Sequence, residues 1–533
     1  MTEAAPQVLI AGGGPAGLAA AVELGRRGIR VCLVEPRLTV DDDRPRAKTT
    51  SIRTMEHLRR WGLADRLRAV APLSVSWSQD VIFCTALLGT ELTRFRNAFG
   101  LYEGRSEHWA EPGQQIPQPL AERVLREAVA DLSSVTCLTG HTVTGVEQDA
   151  RAVRVTVTAG DGAARVIEAE YLLGCDGAGG VTREAAGAVY AGSSGERPNL
   201  SIVFRSPGLD RRIALDPAVQ YWVVGPEASG LMGRLDLKDR WWAIIQRVDT
   251  RVSTPDPQAL VRSLIGSAPD VPVRVVGTDP WVARMLLSDR YRSGRVFLVG
   301  DAAHLNPPWG GHGYNTCVGD AVNIGWRLAA VLQGWGDPAL LDSYETERRP
   351  VAAQTITDSA AQEKLLAPSF AGHPLTGDGE AADRHRAEVA AALRAKAGEF
   401  HSEGLVLGYH YAASPVVVDD GSPVPSHTPR TYHGSGRPGA RLPHAWLPDG
   451  RSLYDALGDG FTLLRLGPAP SAAFERSARA RGVPLTVVDL TRTALHDRYG
   501  ADLVLVRPDQ HVAWRGSGDA GAGRVLDVVR GAG

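Results

Sequence analysis

The stretch Val8-Leu9-Ile10-Ala11-Gly12-Gly13-Gly14-Pro15-Ala16-Gly17-Leu18, with Val31-Cys32-Leu33-Val34-Glu35 after it, decides the fold. Four apolar residues run into glycine, as a buried parallel strand does when it turns at once into a helix. Residues 15–27 carry helical periodicity and residues 30–34 form a second apolar run. Together they make a βαβ unit. Gly12, Gly14 and Gly17 satisfy the G-x-G-x-x-G spacing. The first glycine permits the tight turn, the second lets backbone approach a pyrophosphate, and the third lets helix sit close to strand. The helix start at Pro15 and Ala16 offers free N–H groups and a positive dipole to phosphate. Glu35 closes the second strand, where an acid can accept hydrogen bonds from the ribose hydroxyls of a dinucleotide.

Two further glycine loops lie downstream. Leu173-Gly174-Cys175-Asp176-Gly177-Ala178 reads as a strand ending in Asp-Gly, then a loop and a helix. Asp-Gly is also the commonest turn dipeptide, so this stretch decides little alone. Arg295 to Val299 is another buried-strand run, and it delivers Gly300-Asp301-Ala302-Ala303-His304 to a sheet edge. Pro307-Pro308-Trp309-Gly310-Gly311-His312-Gly313-Tyr314-Asn315 follows, then a helix to about residue 333 carrying Asp320, Ala321 and Asn323. Asp301 is placed to bind a ribityl hydroxyl, and the glycine loop lets backbone approach a flat ring. The helix dipole would stabilise negative charge on a reduced flavin.

The remaining chain reads more coarsely. An amphipathic helix pair is expected over 50–70, a helix over 120–132, and a hairpin of 153–158 with 165–175 around Gly160-Asp161-Gly162. Strand patterns dominate 200–248, with segments 201–204, 219–224 and 240–246. Residues 360–400 are Ala- and Glu-rich and read as helical. Residues 410–443 are rich in Pro, Gly and Ser and read as a linker. The last stretch shows βαβ and then a hairpin, with strands over 461–466, 484–489, 503–506 and 511–515. With 533 residues, 44% hydrophobic and 22% charged, the chain is ordinary globular protein of two to four domains. A net charge of −2 gives no reason to expect a nucleic-acid partner. No apolar run reaches the roughly 18 residues of a membrane span, and residues 1–7 lack the build of a signal peptide. The five cysteines (Cys32, Cys84, Cys137, Cys175, Cys317) are widely spaced without CxxC, so neither a disulfide framework nor a metal site is expected, and a cytoplasmic location fits.

The order GGGPAGL, GCDGA and VGDAAH with PPxGGxGxN resembles the class A FAD-dependent aromatic hydroxylases, the flavoprotein monooxygenases. Arg44-Pro45-Arg46-Ala47, Arg53-Thr54-Met55-Glu56 and Pro117-Gln118-Pro119-Leu120 match as well. The likeness covers essentially the whole chain. The ending, residues 499–509 with Val512-Ala513-Trp514-Arg515, resembles the phenol hydroxylase and bacterial polyketide hydroxylase branch. That branch appends a thioredoxin-like domain; without CxxC here, a structural or dimer-forming role is expected of it. The fold class implied is α/β: a glutathione-reductase-like Rossmann FAD-binding domain, an inserted β-sheet substrate domain and a C-terminal thioredoxin-like domain. The boundaries expected are 1–190 with 280–365 for FAD, interrupted by an excursion near 75–110; 191–279 for the substrate sheet; 366–409 for a helical segment; and 410–533 for linker and thioredoxin-like domain.

By resemblance, Gly12, Gly14, Pro15, Ala16, Gly17 and Glu35 hold the ADP half of FAD. Arg46 and Gln118 approach the pyrophosphate or flavin, and Asp176 with Gly177 stabilises FAD and helps position the nicotinamide. Asp301 takes the ribityl chain or pyrophosphate, and Pro308, Gly311, Gly313, Tyr314 and Asn315 line the isoalloxazine. No second G-x-G-x-x-G occurs, so NAD(P)H would visit, deliver hydride and leave. The family hydroxylates an aromatic phenolic or polyketide-like molecule with O₂ through a flavin C4a-hydroperoxide, in antibiotic biosynthesis for the polyketide branch. Baeyer–Villiger insertion or epoxidation fits the same scaffold, and a non-catalytic flavin-binding protein is a further alternative. Monomer and homodimer both stay open, as do NADH and NADPH. The catalytic base is not readable; Arg46 and His312 are candidates, although loop packing is the commoner fate of a histidine such as His312. Tyr221, Trp222, Trp241 and Trp242 divide between substrate pocket and core, and Arg205 is either a substrate contact or a surface arginine.

Overall fold

The computed structural model describes residues 5–44, 46–224, 229–251, 255–266, 269–363, 375, 377 and 379–533. Pro45 of the Arg44–Ala47 motif, and most of 364–378 at the start of the expected helical segment, lie outside them. Val8–Ala11 (β1) is wholly buried, because the strand is covered on both faces and cannot alternate. Pro15–Gly25 (α1) returns the chain to Val31–Glu35 (β2), parallel to β1. The sheet has six strands in the order Arg292–Ser293, Val296–Leu298, Tyr171–Gly174, β1, β2, Val135–Thr139, parallel except for the first. Its register aligns Ala11 with Gly174 on one side and Val34 on the other, and Gly174 with Leu298. All three glycine loops therefore leave the sheet at its carboxyl edge, where ligands of open α/β sheets bind.

The hairpin of 153–158 forms, as Val153–Ala159 against Ala164–Ala169, with His141–Gln148 as a third strand. The segment 165–175 is not one strand, however. It breaks at Glu170, and Tyr171–Gly174 crosses into the parallel sheet, where burial changes from alternating to complete.

The second large sheet has eight strands: His304–Leu305, Arg274–Ser288, Tyr190–Arg205, Arg240–Gln246, Ser229–Arg234, Gln220–Val224, Val81–Cys84 and Glu91–Phe95. It thus extends to Ser288, past residue 279, and draws two strands from before residue 100. One face packs Phe204, Tyr221, Met232, Trp241 and Ile245 under the helix Pro257–Ile265. The other carries Val203, Leu235 and Trp242, and beside them Phe83 and Trp222 against Phe400.

The C-terminal sheet runs Leu485–Asp489, Phe461–Arg465, Leu503–Val506, Val512–Gly516, with Ala472–Ala480 and Ala522–Val529 packed on it, a thioredoxin-like arrangement. Residues 410–443 contain no helix, as their Pro and Gly content leads one to expect, yet they are no free tether. Tyr411, Arg437, Arg441 and Leu442 are buried, because Arg441 pairs with Glu56 of the helix Ile52–Arg60. No described helix is long and apolar enough to cross a membrane.

Candidate cofactor and substrate site

The first loop is built by contact. Gly12 has φ of +98°, and a Cβ there would meet the Cys175 carbonyl oxygen at 2.4 Å. A Cβ on Gly17 would sit 1.9 Å from the Gly12 carbonyl oxygen, so α1 lies directly against the end of β1. A Cβ on Gly14 would meet nothing within 4 Å. The helix start at Gly14 has no side-chain cap and Pro15 follows, so the N–H groups of Ala16 and Gly17 open onto that space.

Glu35 stands at the end of β2, but not as a free acid. Its carboxylate accepts from Gly13 N–H at 2.7 Å and from Arg37 Nε at 2.6 Å. Arg37 also reaches Glu122 at 3.2 Å. Glu122 accepts from Gln118 Nε2 at 2.8 Å, and Gln118 Oε1 accepts from Ala47 N–H at 3.1 Å. On the same helix, Gln118–Ala130, the half-buried Arg126 leaves its buried Nε and Nη2 without hydrogen-bond partners, with Nη2 3.9 Å from Glu35. Orphaned guanidinium donors beside an open phosphate-sized space fit an anionic ligand. Arg37 and Arg126 went unnoticed in sequence, although Gln118, Glu122 and Arg126 recur every four residues and so form one polar stripe along the helix. Arg46 is exposed and has no carboxylate partner among the described residues.

Asp176 fixes its own loop. It accepts from the Thr182 N–H at 3.0 Å and the Thr182 hydroxyl at 2.5 Å, and burial raises its pKa. Its loop touches Gly12, so the second motif shapes the first.

The third motif meets α1 at Gly300, whose Cβ would strike Cys317 Sγ at 2.9 Å and Ala16 Cβ at 3.1 Å. Asp301 projects beyond it, exposed; its carboxylate accepts from the Cys317 thiol at 3.6 Å, and the Tyr190 hydroxyl donates to its backbone carbonyl. Behind it, buried Asp320 accepts from Gly300 N–H at 3.2 Å, His304 Nε2 at 2.7 Å and Arg348 Nε at 2.7 Å. Burial alone would raise the Asp320 pKa; Arg348 and His304 hold it below the ordinary value.

Pro308 is exposed, and Gly310 and Gly311 turn with φ of +81° and +68°. Asn315 locks this loop: it donates to the Gly311 carbonyl at 2.8 Å and the Thr49 carbonyl at 3.1 Å, and accepts from Ser51 N–H at 2.8 Å. Gly313 opens a helix, Gly313–Leu332, that has no side-chain cap, so its first N–H groups face the loop. Tyr314 is half-buried against the main core. His312 is buried, and burial brings its pKa down to about 4, so it is neutral near pH 7. It packs on Gly310, which supports a loop-packing role. Arg205 pairs with Asp239 at 2.7 Å on the surface. Tyr221 and Trp241 serve the helix-covered core and Trp222 the Phe400 cluster, while Trp242 faces the segment 46–50.

Residues 5–359 match the family model described as FAD binding domain, and residues 435–532 the one described as Aromatic-ring hydroxylase, C-terminal. The chain is 32% identical to 2,4-dichlorophenol 6-monooxygenase of Delftia acidovorans over 98% of both chains. Among solved structures it resembles RebC with bound 7-carboxy-K252c, at 34% identity, TM-score 0.90 and 99% coverage of both chains. The flavin-dependent monooxygenase PieE in complex with FAD and substrate is similar at 32% identity, TM-score 0.89 and 99% coverage of both.

Proposed function

This chain belongs to the FAD-dependent aromatic-ring hydroxylases, and on that basis we propose that it inserts one oxygen atom from O₂ into a phenolic or polycyclic aromatic molecule at the expense of NAD(P)H. The observation that carries the reading is the convergence of three glycine loops on one sheet edge, with Trp242 of the second sheet against Lys48, next to the Thr49 carbonyl that Asn315 of the third loop holds. FAD supplies the hydride acceptance and oxygen activation.

The chain's own residues do the rest. The N–H groups of Ala16 and Gly17, with Arg37, Arg46 and Arg126, hold the ADP and pyrophosphate charge. Glu35 keeps Gly13 and Arg37 in place and offers its remaining lone pairs to the ribose. Asp301 takes the ribityl hydroxyls. Gly311 to Asn315 present backbone to the ring, and the dipole of the Gly313–Leu332 helix favours the reduced, anionic form. Asp176 fixes the second loop against Gly12, from where Asp176 and Gly177 stabilise FAD and help position the nicotinamide. Trp242 and its neighbours exclude water from the reacting face. The similar proteins set the range of candidates: one is a 2,4-dichlorophenol 6-monooxygenase, and RebC holds 7-carboxy-K252c. Antibiotic biosynthesis, a cytoplasmic location, NADH or NADPH as reductant and a monomeric or homodimeric state complete the proposal. The division into FAD-binding (1–190, 280–365), substrate (191–279, its last long strand running on to Ser288), helical (366–409) and C-terminal (410–533) parts belongs to it as well.

The test is aerobic turnover with NADH or NADPH over a panel of phenols and aromatic polyketides, following oxygen uptake and product mass together. Ligand-stimulated oxidation of the nicotinamide with a product one oxygen heavier is expected, and its ring position separates hydroxylation from lactone or epoxide formation. A protein that takes up no FAD refutes the proposal.

A further inference from the structure

Lys48 stands where the flavin loop meets the substrate sheet. Its backbone carbonyl accepts from Ile116 N–H at 2.8 Å, next to the Thr49–Gln115 pair that Asn315 ties to the third glycine loop. Its side chain turns the other way. Nζ donates to the Arg46 carbonyl at 3.0 Å and lies 4.3 Å from the centre of the Trp242 ring. Trp242 shares its face with Val203 and Leu235, flanked by the half-buried Leu231, Ile244 and Val276.

The charges around this point are otherwise matched. Asp42 pairs with Arg123, Asp43 with Arg240 and Asp279 with Arg44. The exposed Asp41 caps the turn at Asp43 N–H. Two cations are left without carboxylate partners among the described residues: Arg46, on the pyrophosphate side, and Lys48, on the sheet side. An ammonium has three donors. One is taken by the Arg46 carbonyl and one faces the indole, which attracts a cation without neutralising it. The third has no partner. Burial brings the Lys48 pKa down to about 8, the mark of a charge that lacks a counter-ion.

We propose that Lys48 is the specificity residue of the substrate site, its ammonium receiving the ionised oxygen of a phenolic substrate while the buried Trp242 holds the ammonium from behind and the half-buried Leu231, Ile244 and Val276 face the ring. The assignment rests on the hydroxylase reading above. It commits to an acidic phenol rather than a neutral arene or ether. An oxyanion at that position has its ring on the apolar wall and its reacting carbons toward the Gly311–Asn315 loop. Ionisation also enriches the ring in electrons, as attack on an electrophilic oxygen requires.

The test uses the oxidised holoenzyme and needs no turnover. 4-Nitrophenol and 4-nitroanisole, alike in shape, differ in that only the first ionises, and its two forms differ in visible absorbance. The wild type is expected to bind the phenolate at least about 10-fold more tightly than the ether, and to lower the bound phenol's pKa by about one unit or more, as a cation within hydrogen-bond reach does. Lys48→Met should erase both effects while leaving the affinity for nitroanisole within about twofold; Lys48→Arg should restore part of the preference. Lys238→Met, an exposed control of equal charge change, should behave as wild type. Should Lys48→Met not fold, Lys48→Gln answers the same question. A wild type that does not prefer the phenolate, or a neutral variant that keeps the preference, overturns the assignment. So does a variant that loses FAD while its phenolate preference survives, since that gives the ammonium to the cofactor. Absence of an oxygenated product with the preference intact counts against the hydroxylase reading and leaves Lys48 where it is.

Discussion

Gly14 and Gly17 both belong to the phosphate loop, and the structure gives them opposite sensitivities to one methyl group. At Gly17 the added carbon would lie 1.9 Å from the Gly12 carbonyl oxygen, against an ordinary contact of 3.4 Å or more, so α1 must move off β1 by well over an ångström. Overpacking of this kind costs about 1–3 kcal/mol. The gain from placing Ala in a helix, about 1 kcal/mol, offsets only part of it. At Gly14 the backbone is extended, with φ of −76°, and nothing lies within 4 Å. Gly14→Ala should therefore leave the melting temperature of the apoprotein unchanged while filling the space assigned to the pyrophosphate. FAD affinity should fall about 10-fold or more, equivalent to about 1.4 kcal/mol. Gly17→Ala should lower the apoprotein melting temperature by about 1–3 °C before any cofactor is added. The assays are thermal melts of the stripped proteins and fluorescence titration with FAD. A Gly14→Ala protein with wild-type FAD affinity would show that the pyrophosphate lies elsewhere, and a Gly17→Ala apoprotein as stable as wild type would refute the helix–strand contact.

Asp301→Ala should leave the apoprotein melt within about 0.5 kcal/mol of wild type, because the carboxylate is exposed, and reduce FAD affinity about 10-fold; retained affinity in the same titration removes Asp301 from the site. Glu56→Ala strips the buried Arg441 and Arg53 of their shared carboxylate and should cost about 3–5 kcal/mol in denaturant unfolding; a loss below 1 kcal/mol would deny the network any structural weight. His312 and His511 each have a folded pKa of about 4 against an unfolded value near 6.5, so each contributes stability that is full above pH 6.5 and lost as pH falls toward 4. At pH 5 each should already cost about 2 kcal/mol, and His57 and His444, lowered by burial as well, add to the drop in stability from pH 7 to 5; His312→Gln should remove only its own share, about 2 kcal/mol, whereas Glu23 and Glu347, lowered to about 2, act only below about pH 4.5.

The elements that sequence exposed most clearly are those whose chemistry is local. β1, α1 and β2 follow from burial on both faces and from a glycine turn, and the C-terminal strands from short apolar runs between turn residues. What stayed hidden depends on partners far along the chain. The strand expected at 165–175 is two strands because Tyr171–Gly174 pairs with β1, some 160 residues earlier, and no local pattern marks that switch. The helix Ser343–Glu363 passes through Pro350, which masks its periodicity. At the site, glycine and Asp301 were legible because only such residues suit a sharp turn or a strand-end acid. Arg126, Arg348 and Lys48 were not, because nothing in an isolated arginine or lysine tells whether its carboxylate lies nearby. For Lys48 the informative fact is negative: every neighbouring carboxylate but Asp41 already has an arginine.

That same long-range matching explains why a thioredoxin-shaped region persists here without redox chemistry. All five cysteines precede residue 318, so the region has no thiol to exchange. It shares a core with the flavin-loop helix instead. Gly313 begins that helix at the glycine loop, and Trp326, further along it, stacks on Trp335 and meets Phe461 edge-on inside the C-terminal core. Arg507 binds Glu347 at 2.7 and 2.8 Å, and Glu347 in turn pairs with Arg327 on the same helix. Arg53 donates to Gln510 at 2.6 Å and to the Asp509 carbonyl at 2.7 Å. Removing the region would expose two tryptophans and leave Glu347 and Arg53 short of buried partners, each a loss of several kcal/mol borne by the elements that carry Asn315 and Ser51. The C-terminal region therefore acts on the cofactor through the rigidity of one helix, and its contribution is geometric rather than chemical.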